Sequence, residues 1–113
     1  MEQCIFCQIA QKKSPAEIEY EDADVIAFWD IAPKAPVHIL VIPKKHIERL
    51  STLQPGDEII LGKMVMAAQK VAEKKKLVDG GFRLIINQGR ESGQIVPHLH
   101  LHLIGGRALG KMG

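Results

Sequence analysis

Three of the five histidines of this 113-residue chain fall in one stretch, Pro97-His98-Leu99-His100-Leu101-His102-Leu103. A β-strand turns successive side chains to opposite faces, so the three imidazoles share one face and the three leucines the other. The leucines can then be buried while the histidines line a surface. At a strand's rise the neighbouring histidines are ~7 Å apart and the outer pair ~13 Å, so one metal ion cannot take all three. Two adjacent ones could share a metal. Alternatively they act singly along a bound substrate, since imidazole near neutral pH serves as base, acid or nucleophile.

Other residues suit chemistry beside them. Cys4-Ile5-Phe6-Cys7 is a C-x-x-C pair, a metal or redox candidate if reduced, or two small apolar thiols packed at a helix start. A tetrahedral zinc site needs two further ligands. Binding metal through His100 would tie up the lone pair that a central nucleophile needs, so an end histidine is the better ligand. His46 follows Lys44-Lys45, and Cys4, Cys7, His46 and His98 form the candidate Cys2His2 set. The loop Asn87-Gln88-Gly89-Arg90-Glu91-Ser92-Gly93-Gln94 runs into the histidine stretch. Its glycines let backbone N–H groups approach an anion, and Asn87 can bond a phosphate oxygen or sugar hydroxyl. Taken alone, His38 reads as a core histidine and Asp30 as a turn former.

These residues need elements to hold them. A short helix is expected over 4–12, ended near Ser14-Pro15. Strands are expected at Ile18–Glu21, Val25–Trp29, Val37–Ile42 (stopped by Pro43), Phe82–Ile86 and Pro97–Leu103. Ala32-Pro33-Lys34-Ala35-Pro36 must be a loop. A long helix should run from an Asp57 N-cap to about Lys76, with Ile60, Met64, Ala67, Val71 and Lys75 on one stripe. Asp79-Gly80-Gly81 should end it, a glycine taking the left-handed cap, and Lys74-Lys75-Lys76 reads as a solvated helix end. The order implies an α+β domain over 1–113, an antiparallel sheet with one long and one short helix on one side.

Composition narrows the class. The chain is 46% hydrophobic and 25% charged, with a net charge of +2. That is ordinary for a soluble globular domain and too weakly basic for a nucleic-acid scaffold. No signal peptide and no membrane-spanning stretch can be read, so a cytoplasmic protein with no membrane or nucleic-acid partner is expected, its two cysteines reduced.

The run His98-Leu99-His100-Leu101-His102-Leu103 resembles the His-x-His-x-His signature of the histidine triad superfamily. Cys4-Ile5-Phe6-Cys7, Ala27-Phe28-Trp29-Asp30-Ile31, Ala35-Pro36-Val37-His38, Val41-Ile42-Pro43-Lys44-Lys45-His46, Asn87-Gln88-Gly89 and Gly93-Gln94 are similar to its Hint-like branch, in the same order and over nearly the whole chain. The resemblance implies a homodimer whose sheets join across the subunits. It implies a hydrolase of nucleoside phosphoramidates and acyl-nucleotides that binds purine nucleotides such as AMP or GMP. His100 would be the nucleophile, forming a covalent nucleotidyl-histidine, with His38 in the proton network behind it. Asp30 and Ile31 would hold the ribose and base region. Asn87, Gly93 and Gln94 would contact phosphate or ribose, and His102 a phosphate oxygen. Some members carry zinc on the residues matching Cys4, Cys7, His46 and His98. It would be a structural zinc, since the chemistry requires no catalytic metal. Several members have a hydroxyl residue after the Gly-Gln pair; here it is Ile95, offering only its backbone N–H. The alternative is a nucleotide-binding or protein-interaction module with little catalysis.

Overall fold

Val25-Ile26-Ala27-Phe28 is buried at every position, so its strand needs cover on both faces, and the fold supplies it. The computed structural model describes residues 3–112. In chain order the elements are α1 (Ile5–Ala10), β1 (Ile18–Glu21), β2 (Val25–Trp29), β3 (Val37–Pro43), α2 (Glu58–Lys74), β4 (Phe82–Ile86) and β5 (Leu101–Gly105), with short 3-10 turns at Leu50–Thr52 and Arg90–Ser92. The strands form one antiparallel sheet in the order β1-β2-β3-β5-β4. This is the expected α+β architecture.

The helices do not share a side, contrary to expectation. Val25, Ala27, Ile39, Val41, Leu101 and Leu103 pack with Met64, Ala67, Ala68, Val71 and Ala72 of α2. Ile26, Phe28, Leu40 and Ile42 pack instead with Phe6 and Ile9 of α1. Alternation along β2 and β3 thus feeds two separate apolar layers, one under each helix. The histidine face is covered as a result. His98 is 0% exposed and His100 7%, where a solvent-lining surface was expected.

The α2 termini differ from the sequence reading. Asp57 holds the N-cap position, yet its carboxylate accepts from the Gln54 N–H (2.8 Å) and Lys45 Nζ (2.8 Å), with no bond to the helix. The helix ends at Lys74, before the glycines. Lys76 takes the left-handed conformation (φ 60°), and the Leu77 N–H reaches back to the Ala72 carbonyl at 2.9 Å. That six-to-one bond closes a Schellman turn and buries Leu77, which offsets the ~1–2 kcal/mol of a left-handed non-glycine residue. Nor is the lysine run simply solvated: Lys74 and Lys75 each grip one oxygen of Glu19 at 2.9 Å, and Trp29 Nε1 donates to it at 2.6 Å. Burial alone would raise the Glu19 pKa; these three bonds outweigh it and hold the group at about 2.

β5 begins at Leu101, four residues later than expected, because neither Pro43 nor Pro97 has an N–H to give the ladder. The His98–His100 segment is held differently: the Leu99 N–H bonds the Ile47 carbonyl (2.6 Å), and the His98 ring bonds the Pro43 carbonyl (2.9 Å).

Leu103 lies at the centre of the sheet, paired with Ile39 and Leu84 and 0% exposed. Leu103→Ala is expected to cost about 2–5 kcal/mol in urea unfolding. A loss below about 1 kcal/mol would contradict the packing described.

Candidate active site

His100 owes its chemistry to a neighbour's main chain. Its Nδ1 lies 2.7 Å from the His98 carbonyl oxygen, which has no proton to give, so Nδ1 carries the hydrogen and donates. Nε2 is left with its lone pair, in a ring held edge-on by Phe6 (centroids 5.1 Å) and His102 (5.0 Å). A neutral imidazole in this tautomer can attack an electrophile.

The second histidine pair is also fixed by a main-chain group. The Lys34 N–H donates to His38 Nδ1 at 3.0 Å. With Nδ1 accepting, the proton of a neutral His38 sits on Nε2, which faces His102 Nδ1 at 2.9 Å. His102 must then accept at Nδ1 and carry its proton on Nε2. That atom is buried and has no hydrogen-bond partner among the described residues. A buried donor without a partner is costly unless a ligand supplies one. Both rings are neutral near pH 7: burial pushes His38 down, and burial with neighbouring His100 and His38 pushes His102 to about 4.

Around these rings lies a cleft of about 840 Å³. One wall is apolar, built from Ile5, Phe6 and Ile9 of α1 with Phe28 and Leu40 of the sheet. Asp30, Asn87, Gly93, Ile95, His38, His100 and His102 also line it. Asp30 both forms the turn and lines the cleft. Oδ1 accepts from the Ala32 N–H (2.8 Å), and Oδ2 lies 3.5 Å from His38 Nε2. Ile31 and Ile95, 101% and 90% exposed, stand at the mouth. Gln94 does not line the cleft, against expectation. Its Oε1 accepts from the Gly89 N–H (2.9 Å), and its Nε2 donates to the carbonyls of Glu48 (3.1 Å) and Val96 (3.2 Å). The side chain braces the loop that Gly93 turns at φ 93°.

Behind His100, the four residues picked out as metal ligands converge. Cys4 Sγ lies 3.3 Å from His98 Nδ1, Cys7 Sγ 3.5 Å from the same atom and 3.1 Å from His46 Nδ1, and all four ligand atoms are within 4.8 Å of one another. In a tetrahedral zinc site with the usual bond lengths, S and N ligands are about 3.5 Å apart, so the cage is the right size. The tautomer also suits: His98 Nε2–H donates to Pro43, leaving the Nδ1 lone pair toward the thiols, the usual backing of a metal-bound imidazole. Burial, with the neighbouring Cys4 thiol, pushes Cys7 up to about 11; a divalent cation would reverse that. Asp30, His38 and His102 also converge. They suit a cation poorly, because the Lys34 N–H on His38 Nδ1 obliges the nitrogen facing His102 to keep its proton. Among the described residues, no convergent ligand group contains two of the three clustered histidines.

Three contributors escaped the sequence reading. Phe6 sits inside the C-x-x-C pair, and the apolar trio Ile5, Phe6, Ile9 was its available signal. The Lys34 N–H and the Pro43 carbonyl are main-chain groups, and nothing in a side-chain pattern marks them.

With the fold and these rings in place, comparison with known proteins is direct. Residues 11–109 match the HIT domain family, to which this chain belongs. It is 44% identical over 111 residues to the purine nucleoside phosphoramidase of Escherichia coli K12, covering 98% of this chain and 93% of that protein. A histidine triad protein from Clostridium difficile superposes with a TM-score of 0.96 at 40% identity, over 100% of this chain and 98% of that one. A zinc-bound histidine triad family protein from Mycobacterium smegmatis does so with 0.82 at 32%, over 94% and 76%.

The depressed histidines make stability depend on pH. Between the ordinary value of 6.5 and about 4, unfolded chains bind protons at His102 that folded ones refuse, and His38 adds in the same direction. Their contribution is complete above pH 6.5 and is lost as pH falls toward 4, each adding at most about 1.4 kcal/mol per pH unit. Urea unfolding across this range should show the decline, and His102→Asn should flatten it. A slope unchanged by the substitution would contradict the assignment.

Proposed function

We propose that this protein hydrolyses purine nucleoside phosphoramidates and acyl-nucleotides through a covalent nucleotide on His100. The observation that carries this reading is the bond from His100 Nδ1–H to the His98 carbonyl, which leaves a bare Nε2 in a nucleotide-sized cleft. Kinship to a purine nucleoside phosphoramidase over nearly the full length supports the substrate class.

In this scheme Nε2 attacks the α-phosphorus and the P–N bond breaks. Charge that develops on the imidazole is shared with the His98 carbonyl. The free His102 Nε2–H donates to a phosphoryl oxygen, and His38 fixes that donor by filling Nδ1. The leaving amine takes its proton at the solvent-open mouth, where Ile95 offers a backbone N–H and no hydroxyl. Water then displaces His100 from phosphorus, so one difficult displacement becomes two easier ones. The apolar wall of α1 with Phe28 and Ile31 suits a purine ring, and Asp30 suits ribose hydroxyls. Asn87, Gly93 and Ile95 line the part of the cleft that suits the phosphate and ribose, while the N–H groups of Gly93 and Gln94 are already bonded to the Arg90 and Gly89 carbonyls.

Zinc on Cys4, Cys7, His46 and His98 is part of the same reading, supported by the convergence of these ligands and by the zinc-bound relative. Zinc held there would tie α1 to the segment after β3 and the segment before β5, and would supply structure and no step of the hydrolysis. A homodimer through β4 is also proposed. Phe82, Leu84 and Ile86 of that edge strand pack on the α2 layer yet stay only half-buried, as does Ile85, and Arg83 is its one charge, whereas the opposite edge carries Glu19 and Glu21. We assign the protein to the cytoplasm, where the cysteines stay reduced; among the described residues no helix is long and apolar enough to cross a membrane. A binding module with little turnover is the second reading, favoured by Ile95 at the mouth.

His100→Ala should lower turnover of adenosine 5′-phosphoramidate by more than about 10³-fold while AMP binding in calorimetry survives. Retained turnover would remove the nucleophile assignment. Wild-type binding of AMP without any turnover would favour the second reading.

A further inference from the structure

His98 belongs to both centres at once. Its side chain faces the thiols through Nδ1, while its carbonyl accepts the Nδ1–H of His100 at 2.7 Å. Its own N–H bonds the Val96 carbonyl at 2.8 Å, and its Nε2–H bonds the Pro43 carbonyl. A second link runs through α1. Phe6 lies between the two cysteines in sequence, and its ring meets His100 edge-on at 5.1 Å and His98 at 5.9 Å. A third runs through the chain after β3. His46 faces Cys7, and the next residue, Ile47, takes the Leu99 N–H midway between His98 and His100. The four ligands therefore join three segments, and each segment touches the nucleophile or its immediate support.

α1 spans six residues, too few to hold its shape in isolation. Its anchors are the burial of Phe6 and Ile9 and whatever its cysteines bind. A bond of metal strength to two cysteines fixes Phe6 far more tightly than thiol–imidazole hydrogen bonds do. We propose that metal occupancy of the Cys4–Cys7–His46–His98 centre aligns the nucleophile, through the His98 carbonyl on Nδ1 and the Phe6 ring on the face of His100, so that turnover depends on a metal that never meets the substrate. The centre is then a control on the rate as well as a staple for the fold. This rests on the zinc and nucleophile assignments above and adds their coupling.

The test compares protein stripped by a chelator with the same protein reloaded with Zn2+, at a temperature where circular dichroism shows both folded. One readout needs no substrate: long-range 1H–15N correlation of the His100 ring. The loaded form should show one Nδ1–H tautomer, and the stripped form a mixture. The other readout is kinetic. Stripping should lower kcat on adenosine 5′-phosphoramidate by about tenfold or more, with a smaller change in KM, because a displaced nucleophile costs rate more than binding. Reloading should restore both, and His46→Ala should match the stripped form in the presence of zinc. If stripping unfolds the chain, Cd2+ in place of Zn2+ keeps the cage filled with longer bonds. It should then shift the His100 Nδ1–H resonance and change kcat.

Unchanged tautomer and unchanged kcat after stripping or exchange would overturn the coupling, as would a native protein that binds no Zn2+. In either case wild-type turnover would leave the hydrolase assignment standing. A zinc-dependent tautomer without turnover in any state would keep the coupling and remove the hydrolase.

Discussion

The structure turns on one hydrogen bond, His100 Nδ1–H to the His98 carbonyl. An imidazole has two nitrogens and, when neutral, one proton. A carbonyl can only accept, so its position decides which nitrogen stays bare. No charged group is needed to activate the ring, and none of the described acids is bonded to it. The same logic recurs next door with the opposite polarity. The Lys34 N–H can only donate, and it sets His38 and, through it, His102 so that the latter presents a proton. Two main-chain groups thus give adjacent rings complementary roles, a lone pair on one and a donor on the other.

The sheet makes this arrangement stiff. Leu99, Leu101 and Leu103 are fixed in the apolar layer under α2, and their alternation throws His98, His100 and His102 onto the α1 side. Burying each leucine contributes about 1.5–3 kcal/mol, more than enough to hold rings that would otherwise sample several rotamers. Burial on the α1 side then keeps His38, His98 and His102 uncharged near neutral pH. Hydrophobic packing and tautomer control are here consequences of one alternation.

Much of this was legible in the residues. The period-two pattern placed the histidines together because Leu99, Leu101 and Leu103 all enter the α2 layer, an alternation that holds through His98–His100 although β5 itself begins at Leu101. The candidate set Cys4, Cys7, His46 and His98 could be assembled from the residues on the ground that a metal on His100 would consume its lone pair, and the fold brings these four together. The limits have physical causes too. α1 on the far face was hidden because an apolar run such as Val25–Phe28 does not say which helix covers which side. The turn at Lys76 was missed because burial of Leu77, a tertiary effect, overrode the local preference for Gly80 and Gly81. Gln94 reads as a ligand contact in its motif, yet its amide is consumed by three main-chain partners across the loop. Glu19 gave no sign of its clamp, since Lys74 and Lys75 lie more than fifty residues away along the chain.

The central claim is that the bare nitrogen of His100 forms a bond to phosphorus. Rapid acid-free quenching of the protein during turnover of an adenosine phosphoramidate, followed by peptide mass spectrometry, tests it directly. The account predicts an adenylate mass on the peptide containing His100, appearing within the first turnover and decaying as substrate is exhausted. Turnover with no covalent adduct, or an adduct on any other residue, would contradict it.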